Sequence, residues 1–152
     1  MENVFVDFDL LLKQCVDEEQ VLHWTDINRM IETAYVNYYN NNPIAKKLIL
    51  GRHTFAELGH ADTEHDLELG HQVEMIYRQF FDIPQLPQPI NIFAISLQVA
   101  DKIYSLSYRK YGYITPELAK EALRLSESYL QLYIPSICKK LDDSFPHRDF
   151  KR

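Results

Sequence analysis

Four of the six histidines, His53, His60, His65 and His71, fall in one short stretch together with Glu57, Asp62, Glu64, Asp66 and Glu68. Imidazole and carboxylate groups ligate metal ions, and Glu57-x-x-His60 and Glu68-x-x-His71 have the spacing of ligands to di-iron centres. At about 100° per residue, His53, Glu57, His60, Glu64, Glu68 and His71 share an arc of roughly 80° if the helix is continuous. That arc can be a metal site, the polar wall of a ligand pocket, or a solvated face. Metal-binding bundles draw ligands from four facing helices, and no other segment here offers a Glu-x-x-His partner. The arc also lies opposite the apolar stripe Leu69, Val73, Ile76 and Phe80, where a solvated face belongs. The expectation is a solvated face with no metal and no cofactor, and the alternative is a metal-dependent helical protein using His53 to His71.

The elements that would position these residues are helices. The chain has 152 residues with only 4 Gly, and its 7 Pro collect between periodic stretches. That punctuation suits helices better than many short strands, so the fold class is all-α, with about six helices in an antiparallel bundle. Phe5, Phe8, Leu11, Leu12 and Cys15 predict a helix over 4–15. Asp17 to Trp24 reads as a short helix or turn. Thr25 is a candidate N-cap for a helix whose apolar face is Ile27, Met30, Ile31, Ala34, Tyr35 and Tyr38 and which ends at Asn40-Asn41-Asn42-Pro43. Pro43 can begin the next helix, expected to run to Leu58 across Gly51. A clear amphipathic pattern runs from Glu64 to Ile83, and Pro84, Pro87 and Pro89 end it. The last two helices are expected over Ile90–Tyr111, closed by Gly112, and Pro116–Ile134, capped by Thr115, with a short helical tail through Leu141.

Composition narrows the function classes. The chain carries 22 Asp and Glu against 16 Lys and Arg, a net charge of -6, and 46% hydrophobic residues. Such a chain can bury about two-thirds of its unfolded surface, so one domain over 1–152 is the expectation. A negative chain does not hold a polyanion by its whole surface, because nucleic-acid affinity comes largely from cations neutralising phosphates. Cys15 and Cys138 lie far apart, the N-terminus is acidic where a signal peptide is basic, and no apolar run approaches about 18 residues. A cytoplasmic protein with no membrane contact is expected.

The final helix pair carries broad apolar arcs. On the first helix Ile92, Ile95, Val99, Ile103 and Leu106 form one stripe, with Phe93, Leu97, Ala100, Tyr104, Tyr108 and Tyr111 beside it. On the second, Leu118, Ala122, Leu125, Tyr129 and Leu132 form a stripe widened by Ala119, Leu123, Ser126, Leu130 and Tyr133. Helices apolar around much of their circumference are either central or shared with a partner. A two-fold four-helix interface follows from the second reading, with Val99, Ile103, Leu106, Ala119, Ala122, Ser126 and Tyr129 facing a second copy. Burial inside one monomer is the other reading. No glycine-rich phosphate loop, GxSxG or HExxH is present, and no enzymatic activity is expected.

The run MIETAYVNYYNNNPIAKKLILGRHT from Met30, the helix ending QFFDIP, and KIYSLSYRKYGYITPELAKEALRLSESYL together resemble the C-terminal regulatory domain of TetR-type transcriptional regulators. The likeness is one of pattern and covers about residues 25–134. It implies that the last two helices pair with those of a second subunit. It also implies a small-molecule effector cavity among the preceding helices, whose occupancy is coupled to DNA-reading heads. Helix placement under that resemblance puts Tyr35, Tyr39, His71, Tyr77 and Phe93 in the cavity. The family's helix-turn-helix head has no counterpart before Thr25, where Lys13 is the only Lys or Arg, so DNA contact is expected only through a head that this chain does not carry. An acidic partner-blocking protein, such as an immunity protein covering a basic nuclease, is the rival of another class.

Overall fold

The computed structural model describes the backbone of residues 2–51 and 56–141, and the side chains of 4–51 and 64–141. Six α-helices account for most of it: α1 (Glu2–Gln14), α2 (Trp24–Asn40), α3 (Pro43–Ala45), α4 (Ala56–Phe80), α5 (Ile92–Tyr111) and α6 (Pro116–Gln131). No strand occurs among the described residues, and the protein is all-α as its punctuation predicts. The helices α5 and α6 pack most extensively, α4 lies on α5, α2 closes over α6, and α1 rests on α2 and α4.

The ends of these helices follow local chemistry. Asn91 caps α5 by accepting from the amides of Phe93 and Ala94 at 2.9 and 3.0 Å. Gly112 ends α5 in the left-handed region, at φ 82°, which a side chain would strain. Thr115 caps α6 by accepting from Leu118 N at 3.2 Å, as its place before Pro116 predicts. The intervening turn is pinned twice. Ser107 Oγ donates to Tyr113 O and accepts from Thr115 N. Asn40, at the end of α2, brackets Ile114 with one bond to its carbonyl and one from its amide, at 2.9 and 2.8 Å.

Four local expectations need correction. The cap of α2 is His23 and not Thr25, because Asp26 Oδ2 reaches back to accept from both Leu22 N and His23 N at 2.9 Å. The helix expected over Pro43–Leu58 is not continuous. It is α3, then a π-helical turn over Lys46–Leu50, then a bend at Gly51, whose Cβ position lies 2.8 Å from Lys47 O. By contrast, α4 starts at Ala56, well before Glu64, so Gly59 and the polar residues after it do not break the helix. The expected helical tail after Pro135 is instead an extended segment bridged to the end of α4, with Asp82 N donating to Lys139 O and Leu141 N to Phe80 O at 2.8 Å. Pro135 removes the amide that would continue the helix, and Trp24 Nε1 takes its carbonyl at 2.9 Å.

One close approach sets the depth of the bundle. A Cβ on Gly70 would lie 2.7 Å from Ala94 N and 2.8 Å from Ala94 Cβ, so glycine lets the backbones of α4 and α5 touch. The core beneath them is unusually aromatic, with Trp24, Tyr39, Tyr77, Tyr104, Phe81 and Phe93 among its fully buried side chains.

Candidate functional site in the aromatic core

The buried side of α2 is Trp24, Ile27, Asn28, Ile31, Glu32, Tyr35 and Tyr39. It is rotated by roughly 60°, at about 100° per residue, from the expected face, which also ran through Met30, Ala34 and Tyr38. Those three residues lie at its margin, half-buried. The rotation carries two polar residues into the core, which is tolerable only because the opposing helices offer partners. Asn28 Nδ2 donates to Ser126 Oγ of α6 at 3.0 Å, and Tyr104 of α5 donates its hydroxyl to Glu32 Oε1.

That satisfaction is incomplete. Glu32 Oε2, Tyr35 Oη and Tyr77 Oη are buried with no hydrogen-bond partner among the described residues. Glu32 and Tyr35 sit one turn apart on the same side of α2. Tyr77 comes from α4 and packs tilted against Phe93 of α5 at 4.8 Å between ring centres, with Trp24 of α2 at 6.2 Å. Tyr39 lies 6.1 Å from Tyr104, and Phe8 of α1 covers Tyr35 and Tyr39 at 5.4 and 5.7 Å. A carboxyl and three phenols from α2, α4 and α5 therefore share an interior walled by aromatic rings.

The electrostatics of this interior are one-sided. Burial pushes the Glu32 carboxyl up to about 7, against the opposing hydrogen bond from Tyr104, so it titrates near neutrality. Burial also holds Tyr35, Tyr77 and Tyr104 well above the ordinary phenol range. The carboxyl groups that push them further are Asp101, Asp66 and Glu32 on Tyr35, Glu32 and Glu127 on Tyr77, and Glu32 and Asp101 on Tyr104, while the Cys15 thiol near Tyr35 is itself pushed up to about 11 by burial and stays neutral. The tyrosines remain neutral donors and acceptors, and Glu32 is the group whose charge changes.

Of the residues placed in an effector cavity by resemblance, Tyr35, Tyr39, Tyr77 and Phe93 lie in this interior, within 5% exposure. His71 does not join them. It is exposed on the outer side of α4, 3.3 Å from Asn91 at the start of α5. Glu32 and Tyr104 complete the cluster but lie outside the residues nominated from sequence. The signal for Glu32 was the run Trp24, Asn28, Glu32 at steps of four, in register with Tyr35 and Tyr39.

The histidine cluster divides. The side chains of His53, Glu57, His60 and Asp62 lie outside the described residues, while Glu64, Glu68 and His71 are exposed and Asp66 is buried. His65 instead turns inward against α1. Its ring centre is 4.4 Å from that of Phe5, its Nε2 is 3.3 Å from Asp9 Oδ1, and its Nδ1 is buried without a partner among the described residues. No group of three His, Cys, Asp or Glu that could hold a metal ion occurs among the described residues.

The residues nominated for dimer contact also divide. Ala122 and Ser126 are fully covered within the chain, whereas Val99, Ile103, Ala119 and Tyr129 are half-buried and Leu106 is exposed. Along α6, Leu118, Leu125, Tyr129 and Leu132 make a partly exposed stripe at steps of seven, four and three. No helix among the described residues is long and apolar enough to cross a membrane. A separate groove of about 680 Å³ runs between α1 and α4, floored by Leu12, Val16, Met75, Ile76 and Phe80, with Lys13 at its rim. Family models, curated proteins and solved structures, each compared with this chain, provide no match to it.

Proposed function

We propose that this chain is the ligand-sensing and dimerising part of a TetR-type transcriptional regulator, without enzymatic activity of its own, and that the interior around Glu32 receives the effector. The observation that carries this reading is the gathering of three unpartnered buried polar atoms on facing helices, Glu32 Oε2, Tyr35 Oη and Tyr77 Oη. Each such group costs about 1–3 kcal/mol when left unsatisfied, so a packed interior that holds three of them is poised to accept a molecule that pairs them. Ligand sites of this kind are mostly apolar with a few placed polar groups, the composition found here.

An effector would act by preferring one arrangement of the helices, and its influence is bounded by its affinity difference between arrangements. The helix best placed to part is α1. Its Leu12 forms the floor of the surface groove, and Cys15, just beyond its end, is near enough to Tyr35 to act on that phenol. On the other side of the bundle, the partly exposed stripes of α5 and α6 would meet a second copy in a four-helix interface. DNA would be contacted only through a helix-turn-helix head, and the protein would work in the cytoplasm.

Two measurements test this reading. Light scattering at micromolar concentration should give twice the 18.0 kDa chain mass. Leu125→Glu, which puts charge on the α6 stripe, should return the monomer. A thermal-shift screen of small molecules should find compounds that raise the melting temperature and lose that effect in Tyr77→Phe. A monomer at all concentrations, or a screen without hits, would remove the proposal.

A further inference from the structure

Space large enough for a small molecule lies outside the core, in the groove of about 680 Å³ between α1 and α4. Ligand sites span about 300–1,000 Å³ and combine an apolar wall with a few polar groups. The wall here is Leu12, Val16, Met75, Ile76 and Phe80, and its α4 side, from Gln72 to Phe80, is about 12 Å long. Met75 follows Glu64, Glu68 and His71 along the exposed side of α4, where the polar pattern gives way to an apolar residue 68% exposed. A methionine left to water at the edge of a groove adapts its shape to an aliphatic guest.

The polar groups of the groove are unequal. Arg78 is already committed, its Nε donating to Glu74 and its Nη1 and Nη2 to the carbonyls of Ile83 and Pro84. Lys13, in the last turn of α1, and Glu18, on the short 3₁₀ turn over Glu18–Gln20, make no ion pair among the described residues. The Lys13 ammonium rides on a flexible four-carbon stem that reaches over the groove, and the half-buried Gln72 and Gln79 add amide donors. Three groups able to donate therefore stand against one that only accepts.

We propose that this groove is a second binding site, separate from the interior around Glu32, and that it takes an unbranched aliphatic carboxylate. The alkyl chain lies along the apolar wall, and the carboxylate accepts from Lys13 Nζ and from a glutamine amide. Chain length then governs affinity, because each CH₂ taken fully out of water is worth about fourfold. Glu18 repels the head group and holds the affinity down.

The experiment titrates octanoate, decanoate, decanol and decylammonium into the full chain by calorimetry, below their micelle concentrations and at about pH 7, where the carboxylates and the amine are charged. Decanoate should bind roughly fourfold to fifteenfold tighter than octanoate. It should also bind about threefold tighter than decanol or decylammonium. Lys13→Gln should remove the preference over decanol, and Glu18→Gln should tighten decanoate about twofold. Met75→Glu should abolish decanoate binding by placing a carboxylate on the apolar wall. Lys13, Glu18 and Met75 are all exposed, so these variants keep the fold. If decylammonium binds best and depends on Glu18, or decanol matches decanoate, the carboxylate assignment falls. If no probe binds, or Met75→Glu leaves binding intact, the groove is not the site. Neither result bears on the interior around Glu32, whose own test is the Tyr77→Phe comparison.

Discussion

Two faces of the same bundle hold most of the chemistry of this chain, and they differ in how openly they display it. The run of imidazoles and carboxylates along α4 exposes Glu64, Glu68 and His71 to solvent, while His65 and Asp66 between them are buried. The inner side of α2 and α4 buries two carboxyls, Asp66 at 5% exposure and Glu32 at 3% among tyrosines. Titratable residues on the exposed part of that run are cheap because water satisfies them. A carboxyl carried into an apolar arc is costly, and Tyr104 offsets that cost at one Glu32 oxygen only. Spacing drew attention to the first face, and burial gives the second its chemistry.

This contrast can be broken experimentally. Phe93→Ala on the inner side should cost about 3–5 kcal/mol by denaturant unfolding, because a fully buried ring against Tyr77 is replaced by a cavity. A cost below about 1 kcal/mol would mean that the interior is loosely packed.

The next largest effect concerns protons. The Glu32 carboxyl is raised by burial to about 7 in the folded protein, so between its unfolded pKa and that value the folded state holds the extra proton. Stability contributed by this group is full in acid below the unfolded pKa. It is lost as the pH rises through about 7 and is constant above. The loss is roughly 3 kcal/mol in wild type, and Glu32→Gln should flatten this part of the stability–pH curve. Superimposable curves would show that Glu32 is solvated and that the two faces do not differ in kind.

Gly70 and His71 are neighbours on α4, about 100° apart around the helix, with Gly70 buried and His71 exposed. Gly70→Ala forces a methyl into Ala94 and should cost about 1–3 kcal/mol. His71→Ala and Glu68→Ala, on the outer side, should each stay within about 0.5 kcal/mol. Equal effects at 70 and 71 would erase the distinction between inside and outside.

Much of the architecture is legible in the chain because its signals are local. Gly112, Thr115 and Pro116 mark the α5–α6 turn through backbone conformation and capping, which act over a few residues. The apolar spacing of Leu69, Val73 and Phe80 likewise marks the buried side of α4. Signals that depend on a distant partner are not legible in the same way. Asn28 counts as polar until Ser126, 98 residues away, receives it. Glu32 belongs on a solvated edge until Tyr104 is brought across from α5. His65, one member of a polar run, turns inward only because Phe5, Phe8 and Asp9 of α1 are there to meet it. The continuous helix expected over Pro43–Leu58 failed for the opposite reason, since the pattern of Leu48, Phe55 and Leu58 outlasted a backbone that bends at Gly51.

By itself the sequence determined an all-α chain, the order of its helices, their main stops and starts, and the pairing of α5 with α6 through a short turn. These follow from hydrophobic period and from Gly, Pro and capping residues, whose effects are short in range. Tertiary structure alone decided how far α2 rotates about its axis, and hence that Glu32, Tyr35, Tyr77 and Tyr104 share one interior. A helix's period defines a face only to within a residue or two. The choice among neighbouring faces belongs to the partners that satisfy its polar groups, and these come from the other end of the chain.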